Sequence, residues 1–210
     1  MHGEDVTLRS ANPTVWLATG NKHKVVEAAA ILGKYGIPVS QLNIDKMEIQ
    51  SSGLEEVARY ASNEIFSSSQ QRLVAVEDSG LFVSSLNGFP GAYSSFVHKT
   101  LGIDGVLTLL SNQRDRSARF QSVVALSGPG FRTLVFKGTV LGRIAVRAKG
   151  SAGFGFDPIF IPKGTSLTFA EGGQDAKNRY SHRSHAFRKL AAWYMKRWPR
   201  WSVVTSGALK

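Results

Sequence analysis

An α/β fold, with a central mixed, twisted β-sheet and flanking helices forming two lobes around a cleft, follows from two features of the chain. As far as Val76, short apolar runs alternate with segments of helical apolar spacing, the pattern of strands joined by crossover helices. From Ala118 to Leu141 the alternation gives way to two β-rich segments flanking Gly128-Pro129-Gly130, which predicts an antiparallel hairpin and a second lobe. A third observation locates the chemistry. The run Val76-Glu77-Asp78-Ser79-Gly80 ends in carboxylates followed by Ser-Gly, which predicts acids at the tip of a strand, where α/β sheets bind ligands.

Thr14 to Thr19 is an apolar run bounded by Pro13 and Gly20, a buried first strand. Apolar residues then recur at Val25, Ala28, Ala29, Leu32 and Tyr35, a helical face that Gly36 and Pro38 stop. Ile37 to Ile44 is a second strand, and Leu54, Val57, Ala58, Ala61, Ile65 and Phe66 trace a second amphipathic helix. Leu73 to Val76 supplies a third strand. After the hairpin, Arg143 to Arg147 adds a further short strand, and Gly150 to Phe156 is a glycine-punctuated loop rich in aromatics. A last helix runs from about Ser184, through Phe187, Leu190, Ala191 and Tyr194, until Pro199 ends the pattern. The expected organisation is an extension over 1–13, one two-lobed domain over 14–198 and a tail over 199–210.

Composition narrows the function. The 210 residues include no cysteine, which rules out disulfides, thiolate metal sites and a cysteine nucleophile. No run is long and apolar enough for a signal peptide core or a membrane span, so the default expectation is a soluble cytoplasmic protein. Lys and Arg number 26 against 15 Asp and Glu, a net charge of +11 that suits nucleic acid or a small polyanion. Much of the excess falls late, in Arg143, Arg147, Lys149, Lys177, Arg179, Arg183, Arg188 and Lys189. A basic half opposite an acidic patch suits a nucleoside triphosphate, whose phosphates need both a metal and cationic partners. Binding of DNA or RNA stays open as a side effect.

The Thr19-Gly20-Asn21-Lys22-His23-Lys24 loop follows a strand and opens a helix. Gly20 lets the backbone approach a ligand closely, the helix N-terminus directs amide donors at an anion, and Lys24 adds a mobile charge. Alone, such a segment is more readily an ordinary βα turn with a solvated lysine; joined to the other segments it reads as a phosphate cradle. It lacks the Walker spacing. Glu48, in Met47-Glu48-Ile49-Gln50, and Asp78 offer hard oxygen ligands that fit magnesium, and Glu77 would support the same ion. Glu48 alone is equally a solvated strand residue. Phe154, Gly155, Phe156 and Asp157 combine an aromatic face for a base with a carboxylate that can accept from ring nitrogens, although Phe156 reads better as core. Asn87-Gly88-Phe89-Pro90-Gly91 is a rigid corner with an architectural job.

Four segments, in order from Trp16 to Leu190, resemble the signatures of the inosine triphosphate pyrophosphatase family, which removes deaminated purine nucleotides. They are Thr19-Gly20-Asn21 with Lys24 and Glu27; Glu77-Asp78-Ser79-Gly80-Leu81 leading into Asn87-Gly88-Phe89-Pro90-Gly91; Gly153-Phe154-Gly155-Phe156-Asp157-Pro158; and Lys177 with Ser181-His182-Arg183. The resemblance implies an ITPase-like fold, a homodimer, and magnesium-dependent hydrolysis of ITP, dITP and XTP to the monophosphate and pyrophosphate. It implies that Asp78 accepts the proton of the attacking water and that Phe154 stacks on the base. Ser79 falls within the same acidic signature and is expected at the substrate.

Base choice is expected to turn on Arg183, since a guanidinium has only donors and matches a 6-keto oxygen, whereas adenine's 6-amino group would meet it donor to donor. Guanine shares the keto group, and no residue that rejects it can be singled out. Lys177 reads as a phosphate or base partner. His182 is a base or ribose contact, or equally a capping or packing residue, and Ser181 is set to cap the last helix. The chain departs from the family at Ala58-Arg59-Tyr60-Ala61, where many relatives carry a lysine, so that one phosphate contact is either missing or replaced by Arg59, and at Phe156 and Ser184. Phe96, Trp193 and the tail tryptophans are the expected dimer surface. The alternatives are a pyrophosphatase of similar fold acting on pyrimidine or modified nucleotides, and a basic nucleic-acid-binding protein without catalysis.

Overall fold

The computed structural model describes residues 12–44, 49–69 and 72–198. Seven strands form one mixed sheet in the order β2-β1-β3-β5-β6-β7, with β4 joined to β3 alone. The strands are β1 (Val15–Ala18), β2 (Val39–Leu42), β3 (Leu73–Val83), β4 (Pro90–Gly91), β5 (Ser117–Gly128), β6 (Phe131–Ile144) and β7 (Phe160–Pro162). The helices are α1 (Lys22–Gly33), α2 (Leu54–Ser69), α3 (Ser94–Thr100), α4 (Gly102–Leu109), α5 (Phe169–Tyr180) and α6 (His182–Arg197). Parallel pairing joins β1 to β2 and to β3, as crossover helices require, and the hairpin β5-β6 adds the antiparallel half.

Helices cover both faces of the first lobe. Ala28, Ile31 and Leu32 of α1 and Ala186, Phe187, Leu190 and Tyr194 of α6 pack on Val15, Leu17, Ala75, Val124 and Leu126. Leu54, Ala58, Ala61 and Ile65 of α2 cover the other face at Val74, Val76, Val123 and Ala125. The alternation of β5, with Val124 to one side and Val123 to the other, is the period-2 signature of a doubly covered strand. In the second lobe Val97 of α3, Val106 of α4 and Phe169 of α5 cover one face only, over Leu81, Ala118, Phe120, Val140 and Ile144.

The third strand is longer than the sequence implies. The acids lie in its middle and not at its tip, because β3 continues to Val83 along the whole length of β5, from Val74↔Ser127 to Val83↔Ala118. Its other edge behaves differently. Pairing with β1 ends at Leu17↔Ala75 and pairing with β4 begins at Leu81↔Gly91, so Glu77 to Gly80 face a gap between two ladders. That gap is the cleft. Gly80 is required where the ladder resumes, since a Cβ there would stand 2.2 Å from the Gly91 carbonyl oxygen. Arg143 and Ile144 belong to the end of β6, and Ala145 to Arg147 are not a strand. Helices α3, α4 and α5 and strand β7 escape the sequence reading.

Candidate functional site

A cavity of about 740 Å³ opens at the gap in β3 and is walled by both lobes. Thr19, Gly20, Asn21 and Lys24 line it from the first βα turn, Asp78 and Ser79 from β3, Phe154 to Asp157 from the glycine loop, Lys177 from α5, and His182 and Arg183 from the start of α6. The structure therefore brings together at one cavity thirteen of the residues singled out from sequence. Three others stand elsewhere: Lys22 and His23 are exposed and outside the cavity wall, and Glu77 lies behind it, 1% exposed. Glu48 lies outside the described residues; Ile49 and Gln50, which follow it, line the cavity.

The floor is a buried charge network of three acids and three cations. Lys177 Nζ is 2.6 Å from Glu27 Oε1 and 2.7 Å from Asp157 Oδ2. Arg183 donates through Nη1 to Glu27 Oε2 at 2.7 Å and through Nη2 to Ser79 Oγ at 3.1 Å, and its Nε is 3.2 Å from Glu77 Oε1. Lys24 Nζ is 2.9 Å from Glu77 Oε2 and donates to the Glu77 carbonyl at 3.1 Å, on the strand edge that neither β1 nor β4 reaches. Ser122 Oγ, opposite on β5, donates to Glu77 Oε1 at 2.6 Å. Formal charge within the six residues cancels, which is what makes their burial tolerable.

The protonation states follow from this arrangement. Burial alone would raise the Glu77 carboxyl, but Arg183 and Lys24 outweigh it and hold the group well below the usual carboxylate range. Glu27 is lowered in the same way, its burial outweighed by Arg183 and Lys177. For Arg183 burial is overcome by Glu77 and Glu27, which keep it charged. Asp157 goes the other way: burial raises its carboxyl, and Lys177 offsets only part of that. His182 is held well below its ordinary value by burial and by Arg183, so its ring is neutral. The ring stacks on Phe120, with centroids 4.6 Å apart, and its buried Nδ1 has no hydrogen-bond partner among the described residues, leaving a polar atom for a ligand at the cavity wall.

Several readings from sequence need correction. Glu77 is bound up in ion pairs with Lys24 and Arg183, so its carboxylate neutralises cations and is not placed to reach an ion in the cavity. The start of α1 is capped by its own Asn21, whose Oδ1 accepts from His23 and Lys24 N–H, so those amides do not face an anion. His23 instead stacks on Phe154, centroids 5.3 Å apart. Arg59 donates to the Thr133 carbonyl and pairs with Glu55, away from the cavity. Arg143, Arg147 and Lys149 line other clefts. Trp193 packs on Phe131, Phe136 and Trp198 and is not an open surface. Two expectations hold: Phe156 is core, 3% exposed, and Ser181 caps α6 through its bond from Ser184 N–H.

Residues absent from the sequence reading also contribute. His98 and Lys99 line the cavity from α3; Glu27, named from sequence only as part of the first family signature, links Lys177 to Arg183. Glu27 carried a signal, as an acid within the apolar spacing of a helix; α3 is too short for periodicity to mark it.

Among the described residues no group of three or more His, Asp or Glu side chains could hold a metal ion. The donor chemistry nevertheless fits magnesium, which is commonly held by one or two carboxylates while keeping waters and binding substrate phosphates. Asp78 supplies one such carboxylate at the cavity wall, its Oδ1 accepting the Ser79 N–H at 2.9 Å.

A family model described as the Ham1 family matches residues 15–193. A dITP/XTP pyrophosphatase of Methanopyrus kandleri is 48% identical over 180 residues, covering 86% of this chain and 95% of that protein. One of Hyperthermus butylicus is 49% identical over 179 residues, covering 85% and 93%. The solved Ham1 protein of Staphylococcus aureus superposes with a TM-score of 0.77 at 33% identity, covering 88% of this chain and 99% of its own.

Proposed function

The chain belongs to the Ham1 family, and on that footing we propose that it hydrolyses ITP, dITP and XTP at the α-β phosphate bond, releasing a nucleoside monophosphate and pyrophosphate. Such an enzyme clears deaminated purine nucleotides from the pool, and we place it in the cytoplasm. No described helix is long and apolar enough to cross a membrane. One observation carries the reading: a single cavity joins the Asp78 carboxylate to a floor whose cations, Lys177 and Arg183, are fixed by ion pairs and offer only donors.

Each part of the cavity has a task. Asp78 accepts the proton of the attacking water and, with Glu48, would hold magnesium. When bound, that ion would neutralise phosphate charge and align the leaving pyrophosphate. Lys24 and Lys99 flank the phosphates. Lys177 and Arg183 retain N–H groups beyond those spent on Glu27, Asp157 and Ser79, enough to donate to a 6-keto oxygen. Phe154 stacks on the base after giving up a present contact. Its ring touches His23, Lys177 Nζ at 4.3 Å and the Arg183 guanidinium at 5.2 Å from the ring centre. The two cations are locked by ion pairs, so the exposed His23 is the contact that yields.

A homodimer accompanies this reading, with its surface at Phe89, Tyr93, Phe96 and Leu101, exposed apolar side chains on and beside α3. Incubation of ITP with the protein and magnesium, with products resolved, tests the reaction. Pyrophosphate and inosine monophosphate are expected, and a chelator should stop the reaction reversibly. Orthophosphate as the product would overturn the proposal.

A further inference from the structure

The charge excess has a location that the catalytic cleft does not use. From Arg116 to Ala170 the chain carries Arg116, Arg119, Arg132, Lys137, Arg143, Arg147, Lys149 and Lys163 against a single acid, Asp157, which is buried on Lys177. Lys137 pairs with Glu55, and Arg116 is turned onto the carbonyls of Leu110, Ile144 and Ala145. Arg132 stands beside the hairpin turn at the far end of β6, and the remaining exposed cations gather at the other end of the sheet. Arg119, Arg143 and Lys163 line a cleft of about 470 Å³, and Arg143, Arg147 and Lys149 line an adjoining one of about 250 Å³; among the described residues no acid lines either. The acids nearest along the chain, Asp115 and Glu171, are tied to the backbone N–H groups of Ser117 and Thr168.

Topology explains why these side chains share a surface. On β5 and β6, Phe120 and Val140 point to the helix-covered face, so Arg119, Leu141 and Arg143 point to the opposite one. Helix α2 covers that opposite face only as far as Val123. Beyond it, among the described residues, Leu141 is 57% exposed, while Ile161 opposite Arg143 is buried. The register sets Arg119 opposite Leu141 and Ile161 opposite Arg143, and Lys163 N–H bonds to the Leu141 carbonyl. Arg119, Arg143 and Lys163 are therefore diagonal neighbours across three strands, with backbones about 7–8 Å apart per step. The Arg119 guanidinium lies 4.6 Å over the Phe82 ring, which holds it against the sheet as a planar cation.

We infer that this face binds single-stranded nucleic acid through its phosphate backbone, without sequence preference and independently of the catalytic cleft. A row of cations free of acids, three of them arginines able to grip phosphates bidentately, gives the charge complementarity. A flat guanidinium on an open sheet offers a stacking surface that unpaired bases can use and a duplex cannot.

The test is fluorescence anisotropy of a labelled single strand of about 20 nucleotides, and of its duplex, with the full chain across a salt series. Five phosphate contacts predict a slope of about −3.5 in log affinity against log salt for the single strand. Arg119→Glu/Arg143→Glu/Lys163→Glu should weaken binding about tenfold or more and flatten the slope by about 2. ITP hydrolysis by the same variant should stay within about twofold of the wild type, which also reports that it folds; should it fail to fold, Arg143→Gln and Lys163→Gln singly must each weaken binding. Arg188→Glu/Lys196→Glu, on the surface of α6, should leave binding intact. Undiminished binding by the triple variant, loss of binding on changing α6, a slope near zero, or tighter binding of duplex would each overturn the inference.

Discussion

At Arg183 the donor offered to the base is also the cation that neutralises Glu27 and Glu77. Arg183→Ala would leave two carboxylates buried without their partner, at a cost of about 3–5 kcal/mol, so lost activity there would report folding and not base choice. Arg183→Lys keeps the charge but removes the fork. It should retain a measurable transition while the ITP to ATP ratio of kcat/KM falls by the equivalent of about 1.5–3 kcal/mol; an unchanged ratio would move base reading to Lys177. Asp78→Asn should leave melting unchanged and lower kcat by about 10²–10⁴, and near-normal turnover would remove Asp78 from the mechanism. Much of this constellation was legible as residue types in order, because phosphate, metal and base chemistry each limit which side chains serve. What Lys177 and Arg183 touch was not legible. Their partner Glu27 is 156 residues from Arg183 in sequence, and only the fold brings them to 2.7 Å.

At the scale of elements, β3 carries the chemistry because its two edges differ: β5 pairs along its length, while β1 and β4 leave Glu77 to Gly80 uncovered between them. Gly80→Ala would force β4 off β3 and shift Tyr93 and Ser94 at the cavity wall, which should cost about 1–3 kcal/mol in a denaturant titration and raise KM. The same strand sets an acid limit. Glu77 and Glu27 are depressed in the fold, so their stabilisation is complete above the unfolded value near 4.5 and is lost as pH falls below it. Asp157 is raised and acts oppositely, since the folded state takes up its proton first. Two groups against one predict a melting temperature that drops as pH goes below about 4.5, and a shallower drop in Glu77→Gln. An equal drop in both would place the acid sensitivity elsewhere. Strand, helix and hairpin were readable where apolar spacing was regular; α5 was not, because its polar helix is interrupted at Gly173, whose φ is 69°.

For the whole molecule, two lobes joined by long strands give one sheet, with the Asp78 cleft at the gap in β3 and apolar side chains left open at Phe89, Tyr93, Phe96 and Leu101. Light scattering after size exclusion should give a dimer for the wild type and a monomer for Phe96→Glu, whereas a monomeric wild type would remove this surface from the account. The central claim is that one cleft selects a 6-keto purine triphosphate and cuts between its α and β phosphates. The direct measurement is hydrolysis of ITP, XTP, GTP, ATP and dTTP with magnesium, with pyrophosphate and orthophosphate resolved. Pyrophosphate from ITP and XTP, with little product from ATP and dTTP, is the predicted result; comparable turnover of ATP, or orthophosphate in place of pyrophosphate, would contradict it.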